Sequence, residues 1–159
     1  MSLQQEYELL RRIPFFAEIE PSKLKLLAFM SERVGFDPGQ YLCRQGDHAD
    51  SAYLIIDGEA DVLADTPSGP VTLATLGEHQ IVGEMAILCD VPRNASVRAK
   101  SRLVTLRISK DLFMRMVREF PNIAVSIMQE LAHRLEANNN QLRAALSELR
   151  QLRETAPAA

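Results

Sequence analysis

The sequence predicts an α+β fold: an antiparallel β jelly-roll barrel with N-terminal helices and two C-terminal lid helices, the last of them long. Between residues 32 and 106, apolar residues alternate with polar ones in short runs that Gly- and Pro-containing turns separate. Before and after this region, apolar residues recur three and four positions apart, as on one face of a helix. Short strands at regular spacing favour an antiparallel barrel or jelly roll.

Two short helices are predicted in the N-terminal segment, residues 1–30. The first covers about residues 2–12, carries Tyr7 and Leu10 on its apolar side, and stops before Pro14. The second begins at Pro21 and continues to about Met30.

The predicted barrel and the short helix that follows it form a second segment, residues 31–120. Asp57-Gly58 is the strongest hairpin signal in the chain, and Ser109 is a typical N-cap for the following helix. The predicted strands are residues 34–36, 41–43, 51–56, 60–64, 71–75, 95–100 and 103–108.

A long helix is predicted in the last segment, residues 121–153, after a break at Pro121. Its apolar positions are spaced alternately three and four residues apart, which is the a/d pattern of a coiled coil. The first half of this helix can lie on the barrel, but the part beyond about Asn140 outruns a barrel of this size. We therefore expect a parallel homodimer through the helix, with Asn138 as a buried polar pair. The seam comprises Met128, Leu131, Leu135, Asn138, Leu142, Ala145, Leu149 and Leu152.

Composition narrows the classes of partner. The chain has 159 residues and a net charge of −3, so it has no basic footprint for nucleic acid, and we expect no direct nucleic-acid partner. No apolar run is long enough to span a membrane, and the N-terminal residues lack the pattern of a signal peptide. Two isolated cysteines, Cys43 and Cys89, are expected to be reduced thiols. A cytoplasmic location is the expectation.

Residues 82–99 contain the side chains and backbone groups that are candidates for ligand binding. Gly83 allows a ligand to approach the backbone closely, and the start of a short helix offers free N–H groups to an anion. Arg93 adds a planar fork of donors suited to a phosphate. Glu84 is a hydrogen-bond acceptor that suits a hydroxyl group. A site that binds both a phosphate and a hydroxyl group indicates a nucleotide with a free ribose hydroxyl. The alternative is that Glu84 only caps a helix while Arg93 makes a buried ion pair.

This stretch resembles the phosphate-binding cassette of the cyclic nucleotide-binding domain family, which includes catabolite activators, regulatory subunits of protein kinase A and cyclic nucleotide-gated channels. The family pattern, Gly-Glu-x-Ala followed by Pro-Arg-x-Ala-Ser/Thr-Val-x-Ala, matches residues 83–86 and 92–99 at every fixed position. The resemblance implies that Glu84 holds the ribose 2′-OH, that Arg93 holds the cyclic phosphate, and that the N–H groups around Met85 and Ala86 complete the phosphate site.

The resemblance also assigns the base side of the pocket. Val62 and Leu73 would line it, while Asn138 and Asn139 stand where catabolite activators have adjacent Thr and Ser residues that contact adenine from both chains. Amides replace hydroxyls there, and an amide can also read a purine edge. The predicted ligand-binding residues are Gly83, Glu84, Met85, Ala86, Arg93, Asn94, Ala95, Val62, Leu73, Asn138 and Asn139.

The predicted function is that of a cyclic nucleotide-binding sensor, with cAMP favoured over cGMP, that acts on an unknown protein effector and has no output domain or enzyme activity of its own. One alternative is a catabolite-activator-like transcriptional regulator that lacks, or is separated from, its DNA-binding domain. A second is a jelly-roll metalloenzyme, but the three histidines, at 48, 79 and 133, are not clustered in sequence, and we expect no metal and no catalytic residues.

Overall fold

The computed structural model describes residues 2–156. It contains two four-stranded antiparallel sheets, with strand orders β1-β8-β3-β6 and β2-β7-β4-β5. The strands are β1 Glu32–Phe36, β2 Tyr41–Cys43, β3 Ser51–Asp57, β4 Ala60–Thr66, β5 Gly69–Leu76, β6 Ile81–Val82, β7 Ser96–Ala99 and β8 Leu103–Ser109. The helices are α1 Leu3–Arg11, α2 Pro21–Met30, α3 Glu84–Cys89, α4 Lys110–Glu119 and α5 Pro121–Thr155, with a short 3₁₀ turn at Pro14–Phe16.

This architecture confirms the predicted α+β jelly roll with helices on both sides of it in sequence. Closure is where the prediction differs from the structure: every strand pairing that the structure describes lies within one of the two sheets, so the barrel is open. The two sheets share an apolar core that includes Ile55 of β3, Ala60 of β4 and Val97 of β7. The site therefore rests on two facing sheets rather than on a closed cylinder.

The Asp57-Gly58 signal marks a real hairpin between β3 and β4. Gly58 has a φ of +94°, which side chains rarely tolerate, and an added Cβ would collide with the carbonyl oxygen of Arg102. The backbone at Arg102 therefore passes too close to this turn for any residue other than glycine. β6 is the one described strand that the sequence analysis did not predict.

A second core joins the helices to one face of the jelly roll. Leu10 of α1, Leu24 of α2, Phe113 of α4 and Ile123 of α5 are all nearly inaccessible in this core. Ile87 of α3 belongs to the same core, so the short helix beside the predicted ligand site packs directly with the C-terminal helices. The division into three segments stays a prediction, since helices of the first and third segments share this core.

The long helix α5 is half packed and half projecting. Ile123 and Ile127 are buried, whereas all residues from 135 to 156 are exposed. Pro121 occupies its first turn, where a missing N–H costs no hydrogen bond. None of the helices in the described residues is both long and apolar enough to cross a lipid bilayer.

Candidate functional site

The turn between β6 and α3 brings the backbone close to an arginine. Gly83 has a φ of +85° and is the N-cap of α3. A Cβ at this position would collide with Nη1 of Arg93, so the site requires glycine for both conformation and space. No side chain caps the first turn of α3, so its first N–H groups have no side-chain acceptor.

Arg93 is held rigidly from both its backbone and its side chain. Its N–H donates to the carbonyl oxygen of Asp47 at 2.8 Å. Its Nη1 donates to the carbonyl oxygen of Gly83 at 2.8 Å and its Nη2 to that of Ser51 at 2.5 Å. The residue is 5% exposed, and its buried Nε has no partner among the described residues. Since a guanidinium has five N–H donors, Arg93 keeps donors for an anion.

Glu84, the first residue of α3, is 2% exposed and is paired with the long helix. Nη1 of Arg134 donates to Oε1 of Glu84 at 2.6 Å, while Nη2 donates to the carbonyl oxygen of Ile81 and to Oε1 of Glu130, each at 2.6 Å. A single side chain of α5 therefore bridges the β6–α3 turn and its own helix.

Burial raises the pKa of the Glu84 carboxyl above its ordinary value, and the charge of Arg134 opposes this shift. Burial also raises the pKa of the Cys43 thiol, with the charge of Arg93 acting in the opposite direction. A neutral thiol does not compete with an anionic ligand for the positive charge of Arg93.

These groups line one cavity of about 90 Å³, whose apolar side comes from strands of both sheets. Ligand pockets usually measure about 300–1,000 Å³. Arg134 lines the cavity and pairs with Glu84, and the cavity is smaller than a nucleotide pocket usually is. The lining residues are Cys43, Val62, Leu76, Val82, Gly83, Glu84, Met85, Ala86, Arg93, Asn94, Ala95, Val97 and Arg134.

Eight of the eleven predicted ligand-binding residues line this cavity, namely Gly83, Glu84, Met85, Ala86, Arg93, Asn94, Ala95 and Val62. Leu73, Asn138 and Asn139 do not line it, and all three are exposed. Their contact with a ligand stays a prediction. The alternative expectation for Arg93 does not match the geometry, because its two Nη atoms donate to backbone carbonyls; the buried ion pair belongs to Glu84 instead.

Sequence reasoning missed five of the lining residues, namely Cys43, Leu76, Val82, Val97 and Arg134. Arg134 is the charged one among them. Its spacing from Glu130 is that of a helical i,i+4 ion pair, and this pair does form. The local pair gave no reason to expect a further partner 50 residues away. A buried Glu beside a short helix was the available signal, since a buried carboxylate needs a compensating charge.

The model for the cyclic nucleotide-binding domain matches residues 33–120, which is more than half of the chain and includes the whole cassette. The chain belongs to the cyclic nucleotide-binding domain family. The residues fit the cyclic phosphate that this family implies, because Gly83 clears space beside Arg93 and the Nε of Arg93 lacks a partner among the described residues. Within the described residues, no group of three His, Cys, Asp or Glu side chains is arranged to hold a metal ion.

Two relatives illustrate the range of this family. The chain is 32% identical over 114 residues to a cAMP-dependent protein kinase regulatory subunit of Emericella nidulans, a match that covers 72% of this chain and 27% of that protein. It is 28% identical over 136 residues to a CRP-like cAMP-activated global transcriptional regulator of Mycobacterium tuberculosis, covering 85% of this chain and 61% of that protein. In both cases the matched part is less than two thirds of the relative.

A solved structure shows the same fold. The catabolite activator protein of Thermus thermophilus superposes with a TM-score of 0.72 and 25% identity, over 90% of this chain and 72% of that one. This member of the cyclic nucleotide-binding domain family thus has a jelly roll that holds the cassette and helices that contact it.

Proposed function

We propose that this domain is a cAMP sensor that passes the ligand-bound state to a protein effector through its C-terminal helix. The observation that carries the proposal is the convergence of Arg93, Glu84 and the open first turn of α3 on one cavity. A guanidinium with spare donors suits a cyclic phosphate, and a buried carboxylate suits a ribose hydroxyl.

The preference for cAMP over cGMP rests on the relatives rather than on the cavity. Both relatives named above carry cAMP in their names. Calorimetric titration with cAMP and with cGMP tests the proposal directly. Binding of neither nucleotide at millimolar concentration would contradict the function, whereas tighter binding of cGMP would contradict only the preference.

Glu84→Ala should remove the preference of the protein for a ligand that has a ribose 2′-OH. A hydrogen bond to a charged group contributes about 1.5–3 kcal/mol, so 2′-deoxy-cAMP should bind the wild type at least about tenfold more weakly than cAMP. In Glu84→Ala the two ligands should bind nearly equally, as measured by calorimetry. Glu59→Ala removes an exposed carboxylate elsewhere and should leave the ratio unchanged. If Glu84→Ala still binds cAMP about tenfold more tightly than 2′-deoxy-cAMP, Glu84 does not bind the ribose hydroxyl.

Arg134 connects this site to α5. The ribose hydroxyl and Arg134 would share the Glu84 carboxylate, so ligand binding changes the contact that holds α5 against the β6–α3 turn. A ligand shifts such an equilibrium only through its different affinity for the two arrangements.

Saturating cAMP should therefore change amide hydrogen exchange in residues 125–140 of α5 by at least about tenfold, while exchange in β1, on the far edge of its sheet, stays the same. Exchange mass spectrometry with and without cAMP measures the difference. If α5 exchanges identically in both states, the domain binds its ligand without signalling through this helix.

We further propose that two copies associate through α5. The seam residues Leu135, Leu142, Leu149 and Leu152 are each 47–61% exposed in one chain. In a parallel pair, Glu148 at position g would face Arg153 of a second copy at position e, and these charges are opposite. Asn138 lies within the same seam, where a polar residue can set the register.

Leu142→Lys/Leu149→Lys should convert a dimer to a monomer, because two charges per chain would be placed in the seam. Light scattering at micromolar concentration measures the mass. Gln151→Lys adds the same charge on the same helix outside the seam and should leave the dimer intact. A wild-type chain with the mass of a monomer would end this part of the proposal.

A transcriptional regulator is the second candidate, favoured by the match of 85% of the chain to the mycobacterial regulator. In that case this chain supplies the sensor part of a DNA-binding protein. A DNA shift assay on the full-length native protein that contains this domain, with and without cAMP, distinguishes the two. We also propose a cytoplasmic location and a regulatory rather than catalytic role, supported by the two free cysteines and by the regulatory relatives.

A further inference from the structure

Arg93 lies in the loop between α3 and β7, where neither a helix nor a strand fixes its backbone. Two backbone hydrogen bonds connect it instead to the turn at residues 44–47. The N–H of Gly46 donates to the carbonyl oxygen of Arg93 at 2.8 Å, and the N–H of Arg93 donates to that of Asp47 at 2.8 Å. The turn at residues 44–47 therefore fixes the position of the Arg93 main chain.

The position of this main chain decides where the free donor of Arg93 points. The carbonyl oxygens of Gly83 and Ser51 hold Nη1 and Nη2, whereas Nε has no partner among residues 2–156. Nε is the guanidinium nitrogen nearest to the backbone. Because the far end of the side chain is held, a shift of the main chain changes the direction of the Nε–H bond. A hydrogen bond weakens steeply as its angle departs from linear.

A buried hydroxyl holds the turn at residues 44–47 against the sheet. Ser96, the first residue of β7, is 5% exposed, and its Oγ accepts a hydrogen bond from the N–H of Gln45 at 2.8 Å. Ser96 pairs with Leu63 of β4, so its own backbone belongs to the sheet that lines the cavity. The hydroxyl thus joins the turn to a fixed part of the fold.

Other contacts shape the turn. Oδ2 of Asp47 accepts the N–H of Arg44 at 3.0 Å within the turn. From outside it, the N–H of Asp65 donates to Oε1 of Gln45 at 2.9 Å, in an exposed contact. The contact with Ser96 is the less exposed of the two that reach beyond the turn, so water competes least for it.

We propose that Ser96 is a positioning residue for the cyclic phosphate: its hydroxyl holds the turn at residues 44–47, and this turn holds the main chain of Arg93 so that its free donor meets the ligand. Ser96 does not line the cavity, so it acts through Arg93 rather than on the nucleotide. This inference rests on the cAMP binding proposed above. The alternative is a role in stability alone, since a buried hydrogen bond also stabilises the fold.

Ser96→Ala should weaken cAMP binding about fivefold, which is within the effect of one neutral hydrogen bond. Ser96→Thr keeps the hydroxyl and should bind within about twofold of the wild type. Calorimetric titration measures both, and circular dichroism checks that each variant is folded.

Thr105→Val is the matched control for a loss of stability. It removes a fully buried hydroxyl that donates to the carbonyl oxygen of Val34 at 2.9 Å, between β8 and β1 and away from the cavity. This variant should bind cAMP as the wild type does. Wild-type affinity in Ser96→Ala, or an equal loss of affinity in Thr105→Val, would overturn the proposal.

A double-mutant cycle shows whether Ser96 acts through Arg93. In the Arg93→Ala background, Ser96→Ala should cause no further loss of affinity, since the guanidinium that it positions is gone. In the Glu84→Ala background, the loss of about fivefold should persist, because Glu84 would bind a different part of the ligand. An equal loss in both backgrounds would mean that Ser96 acts independently of Arg93 and would overturn the proposal.

Amide exchange of the protein without nucleotide gives a readout that does not depend on binding. In Ser96→Ala, the N–H groups of residues 44–47 and 91–95 should exchange at least about threefold faster than in the wild type, whereas exchange in β1 stays the same. Unchanged exchange in both segments would overturn the proposal even if the affinity fell. If the wild type binds neither cAMP nor cGMP, the proposed function fails, while this measurement still decides whether Ser96 holds the turn.

Discussion

Arg93→Ala should weaken cAMP binding by about thirtyfold or more. The guanidinium is 5% exposed and fixed by two backbone carbonyls, so it meets an anion already oriented and desolvated. Truncating one side of a buried, charge-assisted contact costs roughly 2–5 kcal/mol, and about 2 kcal/mol corresponds to thirtyfold. Calorimetric titration of both proteins measures the change.

Loss of the same side chain also removes two hydrogen bonds from the apo protein, so stability must be measured separately. Arg93→Lys keeps a positive charge but loses the fork, and it should bind with an intermediate affinity. Arg98→Ala, on β7, removes an arginine that does not line the cavity and should bind as the wild type does. Wild-type affinity in a folded Arg93→Ala protein would show that the phosphate lies elsewhere.

Arg134→Gln should lower the free energy of unfolding by about 3 kcal/mol. It leaves the 2% exposed carboxylate of Glu84 without its cation, and breaking a buried pair from one side costs roughly 3–5 kcal/mol. The low end applies because the Arg134 side chain is 26% exposed and water can follow its removal. Urea unfolding at pH 8 measures the difference, and Arg143→Gln, exposed on the same helix, is the matched control.

A second substitution tests whether the pair is the cause. Arg134→Gln/Glu84→Gln contains no buried charge at this position and should be more stable than Arg134→Gln alone, with a coupling of about 2 kcal/mol. A destabilisation that is simply additive would mean that Arg134 stabilises through its other contacts.

The pH dependence supplies an independent signature. Burial already holds the pKa of Glu84 above its ordinary value in the wild type, and loss of Arg134 should raise this pKa further. A carboxyl whose pKa is higher in the folded state binds its proton more tightly there, so stability falls as pH rises from the unfolded pKa to the folded one. Arg134→Gln should therefore regain stability, relative to the wild type, as the pH is lowered from 8 toward 5. A difference that is constant over this range would contradict the argument.

Local signals were sufficient to predict the jelly roll. Alternation is visible wherever a strand has one buried face, and Asp57-Gly58 favours a hairpin by its backbone preference alone. β6 escaped prediction because Ile81–Val82 is too short to show any alternation. Its strand conformation comes from pairing with Tyr53 and Leu54 of β3, which is a contact between distant parts of the chain. The open barrel likewise depends on which strands pair, not on any single segment.

The cassette residues were predictable because their spacing is fixed within about ten residues of one turn. Arg134 was not, since its approach to Glu84 depends on the direction of α5. Packing of Ile123 and Ile127 against the helical core sets that direction, and the local pair with Glu130 hides the longer-range partner. The positions of Asn138 and Asn139 relative to a ligand depend on the same direction and on a second copy, so one chain alone does not determine them.

The projecting half of α5 would amplify a small rotation of the helix into a large displacement of its C-terminal end. Arg134 contacts the β6–α3 turn near the middle of the helix, and 21 residues separate it from the helix end at Thr155, a length of about 30 Å. A rotation of about 10° at Arg134 would move that end by about 5 Å, roughly one helical turn. A rotation of this size at the Arg134 contact would change which surfaces meet at the far end of α5.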